Sequence, residues 1–145
     1  VPMSTNKLYA YALTATGAVL PGRDLGVLVP TASDTDCRAM CVGPTGEVWA
    51  SVTVPSRLGG RMNHIVSYKP GDKTPTDHGV ASIQNPKFTP LTDAAGKTLP
   101  FHDGLMKSLD GITTTKHLTL GICQSKSGVV YVLGLHPYMV LELTK

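Results

Sequence analysis

Cys41-Val-Gly-Pro-Thr-Gly-Glu-Val-Trp49 is echoed, without a gap, by Cys123-Gln-Ser-Lys-Ser-Gly-Val-Val-Tyr131. Cys41 matches Cys123, Gly46 matches Gly128, Val48 matches Val130 and Trp49 matches Tyr131. Each copy is a short apolar run, a turn that ends on glycine, and a second run rich in β-branched and aromatic residues. Two such runs around a glycine turn predict a β-hairpin. The glycine has a specific task, because a tight hairpin needs a residue that accepts positive φ.

A second pair recurs. Leu8-Tyr-Ala-Tyr11, a turn and Asp24-Leu-Gly-Val27 resemble Ile65-Val-Ser-Tyr68, a turn and Asp77-His-Gly-Val80. Strands are expected over residues 7–13, 24–29, 37–42, 47–54, 64–68, 77–83, 118–124, 129–135 and 138–143. If the four strands of one unit are lettered A to D, the chain reads C-D, A-B-C-D, an insertion, then A-B-C.

Self-similar units of about 40–50 residues with four strands each mark the blades of a β-propeller. The expected fold is therefore all-β, with four-stranded antiparallel blades. There are about two of them plus an inserted loop: a strand pair over residues 7–30, a blade over 36–83, an insertion over 84–115 and a closing blade over 117–145. Trp49 and Tyr131 are expected to fill the wedge between neighbouring blades. An ordinary β-sandwich is the alternative. Residues 84–115 break the rhythm with Pro86, Pro90, Gly96, Pro100, Gly104 and Gly111. They read as a long excursion with one helical turn near residues 105–109.

At these residues the chain resembles the C-terminal part of a multi-bladed propeller of the gluconolactonase-like, NHL-like or quinoprotein-like kinds. The resemblance implies fold only. No residues here are matched to the Glu, Asn and Asp with which gluconolactonase-like enzymes hold a divalent metal. Two blades do not close a ring, which takes at least about four. The expectation is that sequence upstream of Val1, or other protein chains, complete it. The start at Val1, without an initiator Met, fits a processed product or a fragment.

Composition narrows the classes. Charged residues make up 16% of the 145 and hydrophobic ones 41%, the reverse of a disordered chain. Fifteen glycines and eleven prolines favour turns over long helices. The formal charge is +3 with no block of Lys or Arg, so no nucleic-acid partner is indicated. No apolar run is long enough to span a membrane as a helix. No signal peptide is visible, and the compartment is left open. Three cysteines, an odd number, leave at least one thiol free or paired between chains. Cys37 and Cys41 are expected on one face of a strand, about 13 Å apart, too far for a disulfide.

Candidate chemistry is sparse. His102-Asp103, beside Phe101 in the insertion, pairs a base with a carboxylate. His64 and Tyr68, four apart on one expected strand, would share a face and offer the base and acid of a polysaccharide β-elimination. Arg57 and Arg61 flank Gly59-Gly60 and offer planar forks to a carboxylate ligand. No zinc, haem, phosphate-loop, dinucleotide or nucleophile-elbow motif is present, so neither a metal nor a cofactor is assigned. The functional expectation is a scaffold or binding module that completes a ring with other chains or with upstream sequence. The alternative is a piece of a carbohydrate-active propeller enzyme, of lyase or lactonase type, acting on a saccharide at the channel.

Overall fold

Strand β4 (Val48–Pro55) is buried over six consecutive residues, so both of its faces are covered. A strand in that position needs small or apolar side chains on both sides rather than on alternate residues. Trp49-Ala-Ser-Val-Thr-Val54 meets this demand. A computed structural model describes residues 6–55, 61–82, 85–97, 118–135 and 139–144. Among them there is no helix.

In chain order the other strands are β1 (Lys7–Ala10), β2 (Arg23–Val27), β3 (Asp36–Val42), β5 (Arg61–Tyr68), β6 (Thr76–Val80), β7 (Phe88–Pro90), β8 (Leu118–Gln124), β9 (Val130–Leu135) and β10 (Met139–Leu143). They form three antiparallel sheets. β1 and β2 make a hairpin sheet, β3-β4-β5-β6 a central sheet, and β7-β10-β9-β8 an end sheet. The central sheet lies between the other two. Leu8, Leu25, Leu28 and Val29 of the hairpin region pack on Ala50, Val52, Val54, Val66 and Tyr68 of the central sheet. Trp49 and Ile65, on its other face, pack on Ile122, Val130, Val132, Met139, Leu141 and Leu143 of the end sheet. Each such fully buried aliphatic side chain contributes about 1.5–3 kcal/mol.

The repeated hairpins share one register. Cys41 pairs with Trp49, Met40 with Ala50 and Ala39 with Ser51, and a bulge precedes the pairing of Cys37 with Val52. Cys123 pairs with Tyr131, Ile122 with Val132 and Gly121 with Leu133, and a bulge precedes that of Thr119 with Gly134. Both turns close with the same bonds: Gly46 N donates to Gly43 O at 3.0 Å and Gly128 N to Ser125 O at 2.9 Å. Gly46 has φ 84° and Gly128 φ 87°.

The second repeated pair also shares its register. Tyr9 lies opposite Asp24 and Val66 opposite Asp77; Ala10 lies opposite Arg23 and Ser67 opposite Thr76. Asp24 Oδ1 accepts from Gly26 N, and Asp77 Oδ1 from Gly79 N, both at 2.8 Å.

Stacking is head to tail. Val48 and Ala50 face the hairpin sheet, while their register equivalents Val130 and Val132 face the central sheet. Trp49 faces the end sheet and is 4% exposed. Its equivalent Tyr131 is on the far face of β9 and only partly buried.

Two expectations change. Cys37 and Cys41 lie on opposite faces of β3, Cys37 toward the hairpin sheet and Cys41 toward the end sheet. The bulge between them inserts one residue and reverses the alternation. The excursion over 84–115 also begins differently. Its Phe88–Pro90 portion is β7, the fourth strand of the end sheet, held by Phe88 in the core and by Thr144 N donating to Lys87 O at 2.8 Å. Pro90 is tolerated because β7 is an edge strand. The expected helical turn near 105–109 lies outside the described residues.

Candidate functional site

A cleft of about 500 Å³, with more apolar than polar lining, opens where the central and end sheets meet. Glu47 and Trp49 reach it from the start of β4, Ser67 and Lys69 from the end of β5, and Thr76 and His78 from β6. Lys87 and Leu143 contribute from the end sheet's side.

Strand alternation puts Ser67, Thr76 and His78 on the cleft side; Ser67 lies opposite Thr76, which places His78 diagonally across from it. Ser67 Oγ and His78 Nε2 are 2.8 Å apart. The imidazole stacks on the Trp49 indole, with ring centroids 5.1 Å apart and planes at 30°. Trp49 Nε1 donates to Glu47 Oε2 at 3.2 Å, and Gln124 Nε2 donates to the same oxygen at 2.8 Å. Lys69 Nζ is 3.8 Å from Glu47 Oε1. Burial holds the His78 imidazole below its ordinary range; Lys87 and Lys69 push the same way and Asp77 opposes them. A neutral His78 carrying its proton on Nδ1 accepts a hydrogen bond from the Ser67 hydroxyl at Nε2. No carboxylate completes a Ser–His–acid triad among the described residues, because Asp77 is engaged with His64 on the other face of the sheet.

Of the residues singled out in the sequence, His64 and Tyr68 do not line this cleft. His64 Nδ1 sits 3.0 Å from both Asp77 oxygens, in the place that Lys7 occupies against Asp24 in the hairpin sheet. Tyr68 is buried in the core beneath the hairpin. Tyr68 thus serves the contact between the hairpin and central sheets, and His64 ties β5 to β6 within the central sheet. Arg61 opens β5 opposite Pro55. Arg57, His102 and Asp103 lie outside the described residues. Among the described residues no group of three or more His, Cys, Asp or Glu is arranged to hold a metal ion.

Ser67 and His78 escaped sequence reasoning, although the repeat carried a signal. Aligned on the shared register, Ser67 falls where the hairpin sheet has Ala10, and His78 where it has Leu25. The contact between hairpin and central sheet has an apolar core that includes Leu8, Leu25, Leu28, Val48, Ala50 and Val66. The corresponding contact one sheet further on has exchanged apolar residues for a hydrogen-bonded polar pair.

Compared with known proteins, the chain matches no family model, no curated protein and no solved structure.

Proposed function

We propose that the chain is a propeller-like binding module whose sheets are successive blades, completed into a ring by other chains or by further sequence of the same protein. The head-to-tail stacking carries this reading. Each sheet turns the same face to its predecessor, so the contact is heterologous and has no built-in end; such contacts either close into rings or propagate. A sandwich formed by duplication about a twofold axis would instead bring like faces together.

Both ends of the stack support the reading. The two-stranded hairpin covers β4 and β5 but leaves Met40 45% and Val42 68% exposed on β3. Two further strands beside β1 would cover them. At the other end Tyr131, Leu133 and Val140 are incompletely covered. Open strand edges and apolar faces of this kind favour association. The carbohydrate-enzyme alternative rests on Arg57, Arg61, His102 and Asp103, with His64 and Tyr68 as base and acid; Arg57, His102 and Asp103 lie outside the described residues, and His64 and Tyr68 do not line the cleft.

Light scattering over a concentration series tests the proposal. The chain is expected to associate, and Val42→Lys with Leu133→Lys is expected to yield a monomer that keeps its β-rich circular dichroism. A wild-type monomer at every concentration, or association unchanged by both lysines, overturns it.

A further inference from the structure

The open cleft is formed by the central and end sheets of one chain, so its use is independent of how the ring is completed. We propose that it binds a small, hydroxyl-bearing organic carboxylate of the size of a uronic acid, with the carboxylate held by Lys87 and the Ser67–His78 pair.

Three observations select this chemistry. First, Lys87 has no carboxylate within ion-pair distance among the described residues, whereas Lys69 is drawn to Glu47. A lysine on one wall of a cleft, facing a serine and a histidine on the other, is a place for one negative group. Second, Glu47 and Asp72 line the same space. They disfavour a dianion such as phosphate but accept hydrogen bonds from ligand hydroxyls, since an ionised carboxylate only accepts. Third, a volume of about 500 Å³ whose lining includes Leu143 and Trp49 leaves room for a sugar ring beside apolar surface.

The Ser67–His78 contact then works as a proton-coupled latch. In the empty cleft Ser67 donates to neutral His78. An arriving carboxylate offsets Lys87 and Lys69 and favours the imidazolium. Protonated Nε2 donates to Ser67 Oγ, and the serine proton turns to the ligand. The charged groups around this imidazole are Glu47, Lys69, Asp72, Asp77 and Lys87. Of these only Asp77 belongs to the strand that carries His78.

Isothermal titration with D-galacturonate, D-galactose and inorganic phosphate tests the proposal. Galacturonate is expected to bind at least about tenfold more tightly than galactose or phosphate, the range for one hydrogen bond to a charged group. Lys87→Gln should remove that preference, and Ser67→Ala should weaken galacturonate alone. Near pH 7, titrations in buffers of different ionisation enthalpy should show net proton uptake, lost in His78→Gln. Equal binding of galactose and galacturonate, phosphate binding as tightly as galacturonate, no binding of any of the three, or a preference that survives Lys87→Gln each overturns it.

Discussion

The Trp49 indole lies against the His78 imidazole at a centroid distance of 5.1 Å, while its Nε1 reaches Glu47. One side chain therefore joins the cleft to the core, with its body in the contact between central and end sheets and its polar edge holding a cleft carboxylate. Trp49→Ala should cost about 3–5 kcal/mol, as expected for a buried aromatic truncated to alanine. Urea unfolding followed by circular dichroism measures it. Because Trp49 is the only tryptophan, wild-type indole fluorescence reports separation of these two sheets directly.

Gly46 closes the first repeated turn at φ 84°. A Cβ there would meet Pro70 Cγ at 3.4 Å, an ordinary contact, so the penalty is conformational. Gly46→Ala should destabilise by about 1–2 kcal/mol. Gly128→Ala, at φ 87°, should cost a similar amount. Shifts in the urea midpoint that differ greatly between the two would contradict the shared turn geometry.

Asp77 ties β6 to β5. Burial pushes its carboxyl up, but the bonds from His64 and Gly79 N, with the nearby imidazoles, outweigh this and hold it below the usual carboxylate range. A depressed folded-state value means that the unfolded chain binds the proton more readily. The stabilisation is present above the unfolded value of about 4 and is lost as pH falls through the lower folded one. Asp77→Asn should lower the urea midpoint at pH 6 and flatten the loss of stability below about pH 4.

His78 follows the same sign at a higher pH. Its folded-state value is depressed, so stability declines as pH drops below the unfolded value of about 6.5. His78→Gln should remove that part of the decline while leaving the steeper acid limb. Thermal midpoints across pH 8 to 5 separate the two limbs.

Local chemistry made much of the architecture readable. The turns at Gly43–Gly46 and Ser125–Gly128 are set by glycine and by bonds spanning four residues, and the flanking runs carry strand-forming side chains. The matches of Cys41 with Cys123 and of Asp24 with Asp77 correspond to shared registers. The bulge between Cys37 and Ala39 has no signature in Cys37-Arg-Ala, so strand alternation alone puts Cys37 on the wrong face. The site was less legible. His64 is explained by Lys7, its counterpart in the repeat, as a partner for the Asp of the next strand. Ser67 and His78 each look unremarkable on their own strands and gain meaning only from the apolar residues that replace them one unit earlier.

The sequence by itself determined the strands, the turns and their recurrence, because hairpins are built from contacts between residues close in the chain. Tertiary structure decided the rest. Phe88–Pro90 became the fourth strand of the end sheet because Phe88 could be buried against strands formed much later in the chain, Leu143 pairing with Phe88 itself. The cleft exists because Trp49, Ser67 and His78 meet Lys87 and Leu143 across two sheets. Which faces meet depends on burying apolar surface between distant segments, and no local pattern encodes that choice.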